Sequence, residues 1–162
     1  MKLWLGISAG VVALDQLTKW LAEQWLVFQQ PVPVMPSFNL TLMYNTGAAF
    51  SFLATASGWQ RWFFALLALT VSGVLVVWLS RLKAGQGRLG LALALILGGA
   101  VGNLIDRLLH GHVIDFIQLY YQQWYWPAFN IADSAITVGA VLLVLDSFLT
   151  RDQAPAEAGR RD

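Results

Sequence analysis

The sequence predicts a membrane protein that is all-α apart from a small β element. We expect four transmembrane helices, with an outward-facing β platform between the first and second. Hydrophobic residues make up 57% of the 162 residues, and the mean hydropathy is +0.59. Charged residues make up only 12%, against roughly 25% in a typical soluble chain. A soluble fold of this size would lack the polar residues needed to cover its surface.

Four apolar stretches approach the roughly 20 residues that a helix needs to cross a bilayer. They cover about residues 3–21, 62–79, 89–109 and 131–149. The first resembles a secretory signal peptide, but it carries Asp15 and Lys19 and lacks a clear cleavage site. We therefore predict one integral membrane domain over residues 1–152. Residues 153–162, rich in alanine and charge, are predicted to be a disordered cytoplasmic tail.

The positive charges predict how the chain is oriented, because short cytoplasmic loops are enriched in lysine and arginine. With four crossings, one side of the membrane receives Lys2, Arg81, Lys83, Arg88, Arg151, Arg160 and Arg161. The opposite connections, roughly 23–60 and 110–130, carry only Arg61 at an edge. Both termini are therefore predicted to be cytoplasmic, and both long connections to face outward.

The first outward connection has the pattern of a strand. Pro31, Pro33 and Pro36 favour an extended start. Apolar and polar residues then alternate from Phe38 to Asn45, which is typical of a strand with one apolar face. We predict a β platform over about residues 30–59.

The second outward connection is aromatic. It contains Tyr120, Tyr121, Trp124, Tyr125 and Trp126. Tryptophan and tyrosine favour the membrane–water interface, where the ring is in an apolar layer and its polar group is hydrated. These residues therefore either anchor the loop among the lipid headgroups or contact a substrate.

Polar residues of the predicted spans gather at one depth, near the outer surface. A charge inside a bilayer costs at least roughly 2.5–3.5 kcal/mol, so such a cluster suggests a function. Small residues at Gly98, Gly102, Ala135 and Gly139 favour close packing of the third helix on the fourth. The cluster comprises Asp15, Lys19, Asn103, Asp106, Arg107, Asp115, Asn130 and Asp133.

Asp115 and Asp133 are the strongest candidates for chemistry. No base lies beside either in the sequence. Two carboxyl groups placed together without neutralisation can hold a single proton, so that one acts as a base and the other as an acid. Asp15, Lys19, Asp106 and Arg107 are expected to be structural, because two acids and two bases can neutralise one another. Arg107, adjacent to Asp106 and so unable to pair with it easily, is expected to bind another acid or a loop carbonyl.

Other chemistries have weaker signals. His110 and His112 are two residues apart, which is unspecific for a metal site, and we predict no metal and no cofactor. Ser51, Ser57 and Ser134 lack a recognisable nucleophile motif, and Ser134 is expected to be a polar group at a helix start. There are no cysteines, and the net charge of +1 has no basic stripe that would favour nucleic acid.

Five stretches together resemble the lipoprotein signal peptidase family, also called signal peptidase II. The resemblance extends from about residue 3 to residue 149. It implies four transmembrane helices with a small outward β-cradle, and it places the family's catalytic aspartates at Asp115 and Asp133. The stretches are DQLTK at 15–19, NTGAAF at 45–50, GGAVGNLIDR at 98–107, VIDF at 113–116 and FNIADS at 129–134.

The resemblance also implies an activity. It is an aspartic endopeptidase of the bacterial cytoplasmic membrane that cleaves diacylglyceryl-modified prolipoproteins before the lipidated cysteine. Membrane lipid is a partner, the cyclic peptide globomycin is an inhibitor, and we expect a monomer active at the periplasmic face. The family's other polar site residues match Asp15, Lys19, Asn45, Asn103, Asp106, Arg107 and Asn130.

The three asparagines Asn45, Asn103 and Asn130 are candidates to hydrogen-bond an extended peptide backbone, Asn45 above all. Two other classes stay open on the residues alone. A small proton-coupled transporter also needs intramembrane acids and bases, but it would need them across the whole bilayer. A non-enzymatic assembly factor would use the charges to join helices.

Overall fold

A computed structural model describes residues 1–47 and 58–158, and the side chains of residues 1–47 and 58–149. The protein is mostly helical and has a small antiparallel sheet, as predicted. Ser51, Ser57, part of the predicted platform and the end of the predicted tail lie outside the described residues. The elements in order are α1 Lys2–Trp25, β1 Val32–Met35, β2 Phe38–Asn45, α2 Trp59–Ser80, α3 Gly87–Leu109, β3 Val113–Tyr121, β4 Trp124–Tyr125 and α4 Ile131–Ala158.

Three helices of the described part are long and apolar enough to cross a membrane. They are α2, α3 and residues Ile131–Leu149 of α4. α1 has 24 residues, but its hydropathy is lower than that of these three helices, since polar side chains interrupt its apolar run. Its membrane crossing therefore stays a prediction. α4 is continuous to Ala158, into the stretch assigned to the tail from residue 153.

The helices run alternately up and down around α3. Trp4 and Ser8 of α1 meet Gly90 and Ala94 of α3, and Lys19 meets Asp106, so α1 and α3 are parallel. α4 runs the other way, because its start lies against Gly99 and Gly139 lies against Ala92. α2 is also antiparallel to α3, with Arg61 bound at the end of α3. The end of α1, the start of α2, the end of α3 and the start of α4 therefore share one end of the bundle.

Small residues allow α3 to approach both neighbours, although not all as predicted. A Cβ atom on Gly139 would lie 2.7 Å from the carbonyl oxygen of Ala92, so this contact of α4 with α3 needs glycine. Gly98, predicted to face α4, faces α1 instead, where an added Cβ would lie 2.7 Å from Val11. Gly99, its neighbour in sequence, makes the close approach to α4. A 3.6-residue period separates such adjacent positions by about 100°, and only packing shows which faces which helix.

The sheet unites the two connections at this end of the bundle. Its strand order is β1-β2-β3-β4, with all neighbours antiparallel. In β2 and β3, Asn45 pairs with Val113 and Met43 with Asp115. The predicted platform between the first two helices is thus only half of the sheet. β3 and β4 come from the connection after α3, which the sequence analysis interpreted only as an aromatic segment.

The buried face of β2 differs from the predicted apolar face. Asn39 and Thr41 are buried, whereas Phe38 and Leu40 are half-buried and Tyr44 is exposed. The register of β2 against β3 shifts between Leu40 and Met43, and one such irregularity exchanges the two faces of a strand. A single alternating pattern cannot predict this shift.

A compact apolar cluster seats the sheet on the bundle. Leu42 of β2 and Ile114 and Phe116 of β3 pack against Ala22 near the end of α1. Because all four side chains are buried, β3 is held close to the helix ends. Asp115, between Ile114 and Phe116, is thereby held at the end of the bundle where the sheet lies.

Candidate active site

Asp115 lies on β3 with a buried carboxyl group. Its Oδ1 accepts a hydrogen bond from Asn130 Nδ2 at 2.7 Å, and its Oδ2 accepts one from Asn45 Nδ2 at 3.2 Å. Burial, and secondly the charge of Asp133, raise the pKa of Asp115 to about 7, against the lowering effects of these two hydrogen bonds and of Lys19. The group can therefore hold a proton near neutral pH.

Asp133 lies in the first turn of α4, where a reciprocal pair of hydrogen bonds orients it. Its backbone N–H donates to Asn130 Oδ1 at 2.9 Å, and its Oδ2 accepts from the backbone N–H of Asn130 at 3.3 Å. This is the pattern of a capping box at a helix start. The positive end of the helix dipole favours a negative charge at this position.

The side-chain amides of Asn103 and Asn130 connect the two aspartates. Asn103 Nδ2 donates to Asp133 Oδ1 at 2.8 Å, and Asn103 Oδ1 accepts from Lys19 Nζ at 3.0 Å. Asn130 is fully buried, and its Nδ2 also lies 3.2 Å from Asn103 Oδ1. Both amides therefore bind the protein's own groups. Asn130 has no exposed surface, so its predicted contact with a peptide backbone stays a prediction without support from the cavity lining.

Lys19 is a buried cation shared by two carboxylates. Its Nζ lies 2.8 Å from Asp15 Oδ2 and 2.8 Å from Asp106 Oδ2. Asp15 Oδ1 accepts from the backbone N–H of Ala132 at 2.9 Å, and Asp106 Oδ2 accepts from that of Ile114 at 3.1 Å. A single ammonium group thus pairs with both carboxylates, which leaves a formal charge of −1 on the three side chains. They also tie α1 and α3 to the start of α4 and the start of β3, beside the two aspartates.

Arg107 binds a loop carbonyl, which is one of its two predicted partners. Its Nη2 donates to the carbonyl oxygen of Gly47 at 3.2 Å, and its Nη1 to that of Asn103 at 3.2 Å. Its guanidinium carbon lies 5.3 Å from the ring centre of Phe64. Arg107 thereby joins α3 to the segment that follows β2.

Two residues of this region were missed by the sequence analysis. Gln16 Nε2 donates to Asp106 Oδ1 at 2.8 Å and lies 3.3 Å from the carbonyl oxygen of Gly102. Arg61 donates to the carbonyl oxygens of Arg107 and Leu108, both at 2.7 Å, and so caps the end of α3. The sequence contained one signal for both residues. A glutamine or an arginine left unpaired near a membrane span costs free energy, so each could have been expected to bind a partner.

A cavity of about 1010 Å³ contains the two aspartates. Asn45, Asn103 and Arg107 also line it. Aromatic and aliphatic residues line it too, among them Tyr125, Trp126, Phe129, Ile136 and Val138. Two carboxyl groups that line one cavity, one of them with a pKa raised to about 7, can perform acid–base chemistry on a bound substrate.

The other candidate groups have structural surroundings. His112 packs on Tyr44, with ring centres 4.4 Å apart, and burial together with the nearby His110 lowers its pKa. The described residues contain no group of three or more possible metal ligands. Ser134 Oγ donates to the carbonyl oxygen of Asn130 at 2.9 Å, as expected for a polar group at a helix start.

Apolar membrane-length helices, with two carboxyl groups lining a cavity at one end of the bundle, are compatible with a membrane enzyme. The family model described as signal peptidase (SPase) II, Peptidase_A8, matches residues 7–149. The chain belongs to this family. It is therefore a membrane peptidase, and the family expected from the sequence motifs is confirmed.

Similar proteins agree with this assignment. The lipoprotein signal peptidase of Pseudomonas aeruginosa is 58% identical over 158 residues, covering 96% of this chain and 94% of that protein. The protein of the same name from Acinetobacter baumannii is 55% identical over 153 residues, covering 94% and 87%. A solved structure, described as a bacterial membrane enzyme determined by the in meso method at 2.3 Å resolution, superposes with a TM-score of 0.82. It is 31% identical and covers 96% of this chain and 92% of that one.

Proposed function

We propose that this chain removes the signal peptide from diacylglyceryl-modified prolipoproteins by cleaving before the lipidated cysteine. The names of its relatives support a lipoprotein as the substrate class. The cavity supports a substrate with a peptide part and an apolar part, because both polar groups and aromatic and aliphatic groups line it. Membership of a peptidase family disfavours the proton-coupled transporter.

The proposed mechanism is that of an aspartic peptidase, with Asp115 and Asp133 as the catalytic residues. Its main support is that the two carboxyl groups line one cavity and are oriented separately by asparagine amides. The raised pKa of Asp115 suits the acid that holds the proton. The position of Asp133 in the first turn of a helix suits the ionised base.

The proposed reaction needs no intermediate covalently bound to the enzyme. Asp133 takes a proton from a water molecule, whose oxygen attacks the carbonyl carbon of the scissile bond. Asp115 donates its proton to the carbonyl oxygen, and a gem-diol forms. The proton held by Asp133 then passes to the leaving nitrogen as the C–N bond breaks, and one hydroxyl proton of the diol returns to Asp115. Positioned acid–base groups of this kind contribute roughly 10²–10⁴ in rate.

The remaining polar residues are proposed to support this pair. Asn45 lines the cavity and donates to Asp115, so it is the asparagine best placed to meet a substrate as well. Lys19, with Asp15 and Asp106, is proposed to hold the elements that carry the pair. Arg107 is proposed to hold Gly47, just after β2, against the end of α3.

We further propose that α1 also crosses the membrane, which gives four transmembrane helices in all. We propose that the sheet is a periplasmic cradle. α1 supports this because it lies parallel to α3 along most of its length. Arg81 and Lys83 lie between α2 and α3 and Arg88 lies in the first turn of α3, all at the end of the bundle opposite the sheet. Their side is cytoplasmic by the positive-inside rule, as are both termini. The protein acts as a monomer in the bacterial cytoplasmic membrane.

The test is cleavage of a diacylated prolipoprotein by the full-length chain reconstituted in lipid. The unlipidated precursor is the substrate control. We expect cleavage of the first alone, inhibition by globomycin, and a loss of at least about 10²-fold in kcat in Asp115→Asn and Asp133→Asn. Asp146→Asn is a matched control, since Asp146 pairs with Arg88 at the other end of the bundle. Equal cleavage of both substrates would refute the substrate class, and near-normal turnover by either dyad variant would refute the mechanism.

A further inference from the structure

The β3–β4 hairpin ends in an exposed pair of aromatic residues. Tyr121 and Trp124 are partners across a turn formed by Gln122 and Gln123. Trp124 is 82% exposed and Tyr121 71% exposed. Tyr120 and Tyr125 form the preceding pair, with their rings stacked at 5.5 Å between centres. The tip of the hairpin thus projects two large aromatic side chains beyond the sheet.

The tip also lacks charge. No lysine, arginine, aspartate or glutamate occurs anywhere from residue 116 to residue 132. A hairpin that extends into water normally carries charged residues, since exposed aromatic surface is unfavourable there. Tryptophan, tyrosine and uncharged amides instead suit the headgroup layer of a bilayer.

The tryptophans of the whole chain form two groups at the two ends of the bundle. Trp4 and Trp78 lie at the end away from the sheet, and none lies midway. The hairpin leads directly into α4, whose membrane-length stretch begins at Ile131, so it continues a surface already suited to lipid. The other six of the eight tryptophans lie toward the sheet end of the bundle, at Trp20, Trp25, Trp59, Trp62, Trp124 and Trp126.

Within the hairpin, the aromatic residues are divided between two surroundings. Tyr125 and Trp126 line the cavity that contains the aspartates. Tyr121 and Trp124 do not line it, although they are the more exposed of the four. The two interpretations of this segment, interface anchor and substrate contact, therefore apply to different residues.

We propose that Tyr121 and Trp124 insert into the lipid headgroup layer and hold the cavity at the depth of the membrane surface. The occupant of this surface is the bilayer itself. A substrate anchored by its acyl chains presents its peptide bond at this depth, so the hairpin aligns the cavity with the bond. The alignment with a substrate depends on the proposed function, whereas contact with lipid does not.

A spin label can measure the depth of the hairpin directly. The chain has no cysteine, so Gln123→Cys gives a single labelling site at the exposed turn without removing an aromatic residue. Ala84→Cys, in the exposed α2–α3 connection, is the matched control for water. The full-length protein is reconstituted in vesicles of phosphatidylethanolamine and phosphatidylglycerol, and collisions of the label with a water-soluble nickel chelate and with oxygen are compared.

We expect the label at residue 123 to collide with the nickel chelate about fivefold less often than the label at residue 84. Adding Tyr121→Ser and Trp124→Ser should remove most of this difference. Equal collision rates at the two sites would overturn the proposal. Protection accompanied by spin–spin broadening that disappears on dilution with unlabelled protein would also overturn it, because a second copy would then cover the tip.

A kinetic measurement separates this proposal from the proposed function. In the same vesicles, the Tyr121→Ser, Trp124→Ser double variant should need about fivefold more lipidated substrate per lipid for half-maximal rate, with kcat unchanged. If wild-type protein cleaves no prolipoprotein, the proposed function fails while the depth measurement remains valid. If wild-type protein cleaves but the label at residue 123 lies in water, only the present proposal fails.

Discussion

Lys19 donates a hydrogen bond to the side-chain oxygen of Asn103 over 3.0 Å, and this bond decides which way Asn103 faces Asp133. An ammonium group can only donate, so the amide oxygen must point toward Lys19 and the amide nitrogen away from it. That nitrogen reaches Asp133 Oδ1 at 2.8 Å. The buried cation thus acts on a proposed catalytic carboxylate through the amide between them.

Replacing Asn103 should slow turnover without unfolding the protein. Asn103→Leu keeps the size of the side chain but removes the donor to Asp133. A hydrogen bond to a charged group contributes roughly 1.5–3 kcal/mol, so we expect kcat to fall by about 10- to 100-fold. Cleavage of a lipidated substrate measures this, and Asn39→Leu is the control, since Asn39 is also buried but lies in β2 near its start. An unchanged kcat in Asn103→Leu would contradict the role of the amide.

Removing Lys19 should destabilise the fold. Lys19→Met leaves the buried carboxyl groups of Asp15 and Asp106 without a counter-charge, and breaking a buried ion pair costs roughly 3–5 kcal/mol. Thermal unfolding in lipid should therefore occur at a clearly lower temperature, whereas Lys2→Met, at an exposed position, should have almost no effect. Adding Asp15→Asn and Asp106→Asn to Lys19→Met should restore part of the stability. No recovery in the triple variant would show that charge is not the cause.

The peptidase activity should decline at alkaline pH, and Asp115 should control this decline. The pKa of this group is raised to about 7, so its carboxyl group keeps the proton below that pH and loses it above. Because the proposed mechanism needs the protonated form, kcat/KM should fall by about tenfold for each pH unit well above 7. The measurement is a pH profile with a lipidated substrate, with globomycin binding at each pH as a control for folding. A flat profile from pH 7 to 9 would oppose this assignment of the proton.

The same raised pKa makes a prediction about stability. Below the ordinary pKa of 3.8, Asp115 is protonated in both the folded and the unfolded chain. Between 3.8 and about 7 only the unfolded chain ionises, so this group's contribution to the free energy of unfolding declines as pH rises. Asp115→Asn should therefore be less destabilised, or more stable, relative to wild type at pH 7 than at pH 4. A difference that grows in the opposite direction would contradict the cause given for the pKa.

The contact between α3 and α4 should depend on Gly139. Gly139→Val would place its Cβ 2.7 Å from the carbonyl oxygen of Ala92 and force the helices apart. We expect a loss of about 1–3 kcal/mol in stability, together with lower activity, because α4 carries Asp133. Gly10→Val is the matched control, since nothing lies within 4 Å of a Cβ added to Gly10 on α1. Equal effects of the two substitutions on thermal unfolding would show that helix packing at Gly139 is not critical.

Local patterns in the sequence were sufficient to predict most of the helices, the family and several residues of the candidate site. Hydropathy predicted the three membrane-length helices α2, α3 and α4, because a bilayer imposes length and apolarity on each span separately. The motifs identified the family. The cost of intramembrane charge singled out Asp15, Lys19 and Asp106 as groups that need partners inside the protein.

Other features depend on contacts between distant residues, which no local pattern contains. The register shift in β2 exchanged its faces, and β3 became a strand because β2 was available to pair with it. The direction of the Asn103 amide depends on Lys19, which is 84 residues away in the chain. The hydrogen bonds of Gln16 and Arg61 are made to groups of α3, so they form only once α3 packs beside α1 and α2. Hydropathy is a property of each segment, whereas a hydrogen bond needs two partners that folding must first bring together.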